Sequence, residues 1–229
     1  MASDGAFDLC VVCSPCDNPT SFLHACAQKV VSIGRERGAR LDSDLPLSDL
    51  DLDTLEGAGH DRLAVWIGGH GTKLPCCHIT RDKKGTVVIL RREDTPRMAA
   101  WVVFANACHS WHMAPAPTAQ GCWFGFTECP SVLPYWTESF KRLSPDTQQG
   151  LRCDFELAFT RPFEEFTNLQ VPEANRTAGG IVKRVRLSLR GASSRWFCRR
   201  GYAAVLAVLL RKQSYLLGCS NPSATFWRF

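Results

Sequence analysis

The sequence predicts an α/β fold in which helices flank a central, mostly parallel sheet. Short apolar runs of strand length alternate with segments of helical periodicity, and this alternation is typical of such folds. The most apolar of these runs lie at 7–13, 62–67 and 98–107. With 229 residues, the chain is predicted to form a single domain, 1–229, with a core at about 7–143 and a basic, helical C-terminal extension at about 144–229.

Each element is assigned from its length, its periodicity and the turn residues that bound it. The acidic, leucine-containing stretch 41–55 is predicted to be a loop that ends in a helical turn or two. We predict strands at 7–13, 62–67, 85–90, 98–107, 121–126 and 181–187, and helices at 19–37, at 132–143, from 144 to a break at Pro162, and at 201–217.

Composition predicts a folded, intracellular protein. Hydrophobic residues make up 45% and charged residues 21% of the chain, as in ordinary globular proteins. The N-terminus lacks the basic and apolar regions of a secretory signal, and the longest apolar run, 202–210, is too short to span a bilayer. A cytoplasmic location is therefore expected, where the twelve cysteines would be mostly free thiols.

Two of the predicted strands end in residues that are suited to acyl-transfer chemistry. The run at 62–67 leads into Gly-Gly-His-Gly, which contains His70, and the run at 98–107 leads directly to Cys108. Because the carboxyl ends of parallel strands meet at one edge of a sheet, His70 and Cys108 are predicted to lie side by side. A thiol becomes a nucleophile when a base is near, and the backbone N–H groups of Gly71 and Cys108 are candidates to hold a developing oxyanion.

The order of these motifs, strand–Gly-His-Gly followed by strand–Ala-Cys-His-Ser, resembles the caspase-like cysteine peptidases, which include metacaspases, paracaspases and bacterial CHAT peptidases. The resemblance covers residues 7–143. It implies a caspase-like sheet, a catalytic base at His70 and a nucleophile at Cys108 that forms a thioester acyl-enzyme, with oxyanion donors at Gly71 and the Cys108 amide. It also implies cleavage of a protein substrate without a cofactor, and it leaves open whether an activating partner is needed.

Asp17 and Asn106 are the candidate substrate-binding residues. Asp17 follows the first strand, in a loop that the resemblance places beside the pocket for the residue before the cut, and its charge is suited to Lys or Arg. The alternative is that Asp17 caps the next helix. Asn106 stands two places before the Cys, where metacaspases carry an acid and mammalian caspases a Gln, so substrate preference stays open.

Metal binding and a non-catalytic interaction function are the alternatives to a peptidase. Cys10, Cys13 and Cys16 have the spacing of a metal site, but alternation along a strand would send the first two to opposite faces of the sheet. Cys76-Cys77-His78 is a second cluster, and no metal is predicted at either. Residues 183–212 carry nine basic and no acidic side chains, so the alternative function is a catalytically inactive domain that binds a protein or nucleic-acid partner through this region.

Overall fold

The chain folds around two β-sheets in the computed structural model, which describes residues 7–41, 45–60, 62–73, 77–84, 86–118, 121–168, 170, 172 and 176–226. The strands are β1 (Asp8–Val12), β2 (Arg40–Leu41), β3 (Leu63–Gly68), β4 (His70–Gly71), β5 (His78–Thr80), β6 (Val88–Arg91), β7 (Val102–Asn106), β8 (Cys122–Phe126) and β9 (Leu217–Cys219). The helices are α1 (Asn18–Glu36), α2 (Leu52–Gly57), α3 (Glu138–Lys141), α4 (Pro145–Phe166), α5 (Ala178–Phe197), α6 (Tyr202–Leu216) and two 3-10 helices, Arg92–Met98 and Ser110–Met113.

The main sheet has six strands in the order β2-β1-β3-β7-β8-β9. Neighbouring strands from β2 to β8 are parallel, and β9 pairs antiparallel with β8. A second, three-stranded sheet of order β4-β5-β6 is antiparallel. The predicted fold class, α/β with a mostly parallel sheet flanked by helices, is therefore confirmed.

The two faces of the main sheet are covered by different parts of the chain. Helices α1, α4, α5 and α6 form one hydrophobic cluster with side chains such as Leu9 and Val11 of β1. The small sheet and the 3-10 helix Arg92–Met98 form a second cluster, which contains Cys10 and Val12 of β1. Cys13 belongs to the first cluster, so Cys10 and Cys13 face opposite sides of the sheet, as the alternation predicts.

The strand predicted at 181–187 is wrong, because this segment is part of α5. Its β-branched residues favour a strand locally, but Ile181, Val185 and Leu189 are buried at intervals of one helical turn. The helix begins after Thr177, whose hydroxyl accepts a hydrogen bond from the Gly180 N–H at 3.1 Å. Burial of one helical face decides the structure here.

The break predicted at Pro162 is also wrong, because α4 continues through it to Phe166. A proline inside a helix has no N–H to donate and disturbs the preceding turn. In α4 the carbonyl of Phe159 accepts the indole N–H of Trp66, on β3, at 3.1 Å. Phe159 and Phe163 are fully buried on either side of the proline, so packing against the sheet holds the helix together.

Two further boundaries differ from the prediction. The helix predicted at 132–143 is reduced to α3, because Pro134 interrupts its first half and Thr137 caps the helix with a hydrogen bond from the Phe140 N–H at 3.3 Å. The strand predicted at 98–107 begins only at Val102, since the 3-10 helix extends to Met98.

Residues 144–226 belong to the same core as the rest of the chain, although the sequence sets them apart as an extension. Helix α4 packs against α1 and β7, and α5 and α6 pack against α4 and against each other. The short strand β9, which was not predicted, completes the main sheet beside β8. No helix in the described part of the chain has the length and apolar character needed to cross a membrane.

Candidate active site

The candidate site lies where β3 and β7 end at the same edge of the sheet. These strands are parallel neighbours, and Gly68 at the end of β3 is aligned with Asn106 at the end of β7. The next residue, Gly69, donates its N–H to the Asn106 carbonyl at 3.3 Å. His70 and Cys108 each follow two positions after this aligned pair, on turns that leave the sheet together.

The two turns approach each other so closely that glycine is required. A Cβ atom on Gly71 would overlap the backbone carbonyl of Cys108. A Cβ atom on Gly69 would lie 2.7 Å from the carbonyl of Thr80, on β5. The glycines on both sides of His70 therefore allow β4 to pack between the nucleophile turn and β5 of the small sheet.

The backbone of Gly71 lies against that of Cys108, since a Cβ atom on Gly71 would come within 2.7 Å of the Cys108 backbone nitrogen. The backbone N–H groups of Gly71 and Cys108 lower the pKa of the Cys108 thiol. Their role as oxyanion donors stays a prediction.

The Cys108 thiol is nevertheless protonated at neutral pH in this structure. Burial raises its pKa to about 12, and a hydrogen bond and the charge of Cys129 contribute to this increase. Cys129 is exposed, and its sulfur lies 3.8 Å from Nε2 of His109. Sequence reasoning missed Cys129, because it follows a different strand, β8, and stands in no recognisable motif.

The imidazole of His70 is held by a carboxylate. Its Nε2 lies 3.0 Å from Oδ2 of Asp17, and both side chains are only partly exposed, at 20% and 25%. The same carboxylate oxygen is 3.5 Å from Nζ of Lys83. Because Asp17 engages Nε2, Nδ1 is the ring nitrogen that remains to exchange a proton with a thiol. The link between Asp17 and His70 was not predicted, because the two residues are distant in the sequence.

Asp17 is the N-cap of α1, so the capping alternative is confirmed. Its Oδ1 accepts the N–H of Thr20 at 3.0 Å, and the Thr20 hydroxyl accepts the N–H of Asp17 at 2.9 Å, which completes a capping box. Burial tends to raise the pKa of Asp17, but the hydrogen bonds of Thr20 and the interaction with His70 outweigh it and lower the pKa. Selection of a basic substrate residue by Asp17 stays a prediction.

Asn106 supports the two turns from inside the sheet. It is buried, and its Nδ2 donates to the Phe104 carbonyl at 3.0 Å. Contact between Asn106 and a substrate stays a prediction, and it would require this side chain to leave its present hydrogen bond.

The nucleophile turn is anchored by the residues that follow Cys108. The backbone of His109 has a left-handed φ of 56°, which is uncommon for a residue with a side chain and is typical of constrained functional turns. The hydroxyl of Ser110 donates to the Ala105 carbonyl at 2.7 Å and accepts the Phe126 N–H at 3.0 Å. The indole N–H of Trp123 donates to the Ser110 carbonyl at 2.8 Å. These bonds fix the position of Cys108 relative to β7 and β8.

The described residues contain no group of three His, Cys, Asp or Glu side chains arranged to hold a metal ion. His109 and His112, next to the nucleophile, both lie within hydrogen-bonding distance of the Thr127 carbonyl, at 3.3 and 3.2 Å. Cys76, of the second predicted cluster, lies outside the described residues. The cysteines in the described ranges are all free thiols.

Neither a protein-family model nor a curated protein matches this chain. The resemblance to caspase-like peptidases therefore depends on the sequence motifs around His70 and Cys108 and stays a prediction.

Proposed function

We propose that this protein is a cysteine endopeptidase in which Cys108 is the nucleophile and His70 the general base. One observation carries the proposal: β3 and β7 end at the same edge of the sheet, and the backbone of Gly71, next to His70, lies directly against the backbone of Cys108. A thiol, nearby backbone N–H groups and an imidazole oriented by a carboxylate are the groups that thiol-dependent acyl transfer requires. The resemblance to caspase-like peptidases implies the same roles.

In the proposed reaction, the Cys108 sulfur attacks the carbonyl carbon of a peptide bond while Nδ1 of His70 accepts the thiol proton. The N–H groups of Gly71 and Cys108 stabilise the negative charge that develops on the carbonyl oxygen. Cleavage of the C–N bond leaves a thioester on Cys108, and the departing amine takes the proton from His70. Water, deprotonated by His70, then hydrolyses the thioester and releases the acid, and the proton returns to the thiol.

The raised pKa of the Cys108 thiol explains why a base is needed in this site. A thiol with a pKa of about 12 has very little thiolate at neutral pH, so proton transfer must accompany the attack. His70 becomes positively charged in that step. The carboxylate of Asp17, 3.0 Å from its Nε2, favours the charged ring and holds it in place.

The proposal is tested with an acyloxymethyl ketone peptide probe, which alkylates activated thiols, followed by mass-spectrometric mapping of the labelled residue. We expect the wild type to be labelled at Cys108, the Cys108→Ala variant to lose this label, and the His70→Ala variant to react at least about 100-fold more slowly, as loss of a general base predicts. Cys153→Ala, which removes an exposed thiol on α4, is the matched control and should react as the wild type does.

The proposal would be rejected if the probe labels no Cys108 in the wild type and labels other sites equally in the wild type and in Cys108→Ala. Because a zymogen would also remain unlabelled, the wild type is tested before and after limited proteolysis. No labelling in either condition counts against a peptidase.

The Asp17→Asn variant provides a second test, which examines the interaction of Asp17 with the proposed base His70. Asparagine still caps α1, but it loses the charge that stabilises the protonated His70. We expect probe labelling to slow by about 10- to 100-fold, as loss of a hydrogen bond to a charged group predicts, with an unchanged melting temperature. Asp51→Asn is the matched control, because Asp51 caps α2 in the same way through Thr54. Equal rates in the two variants would contradict the orienting role of Asp17.

A further inference from the structure

A cavity of about 580 Å³ opens between α5 and β9, at the edge of the main sheet. Its basic wall consists of Lys183, Arg186 and Arg190, and its apolar floor includes Trp111, Val182 and Leu187. None of the described residues that line it is acidic. Neither the proposed chemistry nor the hydrophobic core explains this combination.

The three cations share one face of α5, because positions three, four and seven apart lie on the same side of a helix. Among the described carboxylates, none forms an ion pair with them. By contrast, Arg184 and Arg195 on the same helix are paired with the buried Glu165 and Asp154. The positive charge of α5 is therefore neutralised on the side that faces α4 and left uncompensated on the side that faces the cavity.

Arg186 is held at the base of this wall. One of its terminal nitrogens donates to the Leu217 carbonyl at 2.7 Å, while its Nε is buried without a hydrogen-bond partner among the described residues. Arg190 lies over the ring of Tyr215, 5.0 Å from its centroid. The positive charge of Arg186 also acts on Cys219. The pKa of this thiol is lowered mainly by a hydrogen bond with Cys122, and Arg186 lowers it further.

The floor of the cavity exposes apolar surface. Leu187 is 56% and Trp111 37% exposed. Trp111 packs closely against Gly218, where an added Cβ atom would lie 3.0 Å from its ring. A ligand that covers this floor and compensates the wall must carry an apolar group flanked by negative charges.

We propose that this cavity binds an acidic peptide segment, with an aliphatic side chain on the floor and its carboxylates paired with Lys183, Arg186 and Arg190. A nucleic acid fits less well, because it is held mainly through phosphates along an open line of cations and has no aliphatic side chain to cover the exposed Leu187 and Trp111.

The cavity adjoins the nucleophile turn. Trp111 belongs to the 3-10 helix that follows Cys108, and Thr127, also in the cavity lining, accepts the hydrogen bonds of the His109 and His112 rings through its carbonyl. An acidic segment bound here would hold a protein substrate beside Cys108. That last role rests on the proposed function, whereas the binding itself does not.

The test uses the full-length Cys108→Ala variant, so that no probe is cleaved, and fluorescence anisotropy of labelled decapeptides. The first peptide contains Glu and Leu in a Gly-Ser background, the second has Leu replaced by Ser, the third has Glu replaced by Gln, and a single-stranded DNA oligonucleotide is the fourth probe. We expect only the first to bind well, and Lys183→Glu or Arg190→Glu to weaken it at least about tenfold. Arg199→Glu and Arg200→Glu are the matched controls, since both residues are exposed, outside the cavity lining, and change the net charge equally.

Three results would overturn the inference: equal weakening by the control variants, binding that is indifferent to the leucines, or tighter binding of the oligonucleotide that the same cavity variants abolish. Leu187→Ser, at an exposed position, tests the floor independently of charge and should also weaken the first peptide. Probe labelling of the wild type is measured in parallel. If Cys108 is labelled by the probe but the acidic peptide does not bind, only the proposed peptide-binding cavity is rejected. If the peptide binds but Cys108 is not labelled, only the proposed peptidase activity is rejected.

Discussion

At the residue scale, the reactivity of Cys108 depends on opposing influences on one thiol. Burial and Cys129 raise its pKa, whereas the N–H groups of Gly71 and Cys108 lower it. The first pair dominates, so the resting thiol is protonated. In the proposed reaction these N–H groups bind the substrate carbonyl oxygen and His70 accepts the thiol proton.

Cys129→Ala is expected to lower the pKa of Cys108, because it removes a hydrogen bond and a charge that both disfavour the thiolate. The rate of alkylation by iodoacetamide follows the thiolate fraction. For Cys108 in the variant, it should therefore rise at a lower pH than in the wild type, whose pKa is about 12. Rates at individual cysteines are followed by mass spectrometry of quenched digests.

Cys153→Ala serves as the control for loss of an exposed thiol elsewhere, and it should leave the profile of Cys108 unchanged. Identical profiles for Cys129→Ala and the wild type would show that Cys129 does not influence the nucleophile in solution.

At the element scale, α4 shows how tertiary contacts support a helix that its own sequence would break. Pro162 leaves the Ala158 carbonyl, four residues before it, without its helical donor, and the neighbouring carbonyl of Phe159 accepts the indole N–H of Trp66. Trp66 is fully buried on β3, the strand that leads to His70. The same contact therefore joins the helical layer to the strand that positions the candidate base.

Trp66→Phe is expected to lower the free energy of unfolding by about 2–4 kcal/mol, since it removes both a hydrogen bond and buried volume. In a Pro162→Ala background the loss should be smaller, because alanine restores the helical hydrogen bond from residue 162 to the Ala158 carbonyl, so that α4 depends less on its contact with Trp66. Urea denaturation of the four proteins measures this coupling. Additive effects of the two substitutions would mean that the indole does not compensate for the proline.

At the scale of the whole molecule, α4 is the helix that joins the two halves of the chain. Its buried carboxylates are paired with cations on the neighbouring helices, as in Glu156 with Lys29 of α1, Asp154 with Arg195 of α5 and Glu165 with Arg184 of α5. The Asp154 carboxylate also accepts the indole N–H of Trp196 at 2.6 Å. One face of the main sheet is covered by α1 together with α4, α5 and α6, three helices that follow position 143.

A fragment of residues 7–143 is therefore expected not to fold alone. Without α4, α5 and α6, the apolar side chains of one sheet face would be exposed, and β8 would lose its partner β9. Near-ultraviolet circular dichroism and binding of a hydrophobic dye should show an unfolded or loosely packed chain, whereas the full-length protein serves as the folded reference. A cooperative unfolding transition in the fragment would contradict this expectation.

The amino-acid sequence by itself determined the features that local patterns encode. Apolar runs of strand length predicted β1, β3 and β8, and helical spacing predicted α1 and α6. These predictions succeed because burial and turn geometry depend on a few adjacent side chains. The turn residues also predicted that two parallel strands end at one sheet edge before His70 and Cys108, and β3 and β7 do so, whereas contact between the imidazole and the thiol stays a prediction.

Only the tertiary structure decided which distant groups meet. The carboxylate of Asp17 beside His70, the sulfur of Cys129 beside Cys108, the closure of the sheet by β9 and the continuity of α4 through Pro162 all join segments that are far apart in the chain. No local pattern specifies such pairs, because the free energy that selects them comes from packing the whole core.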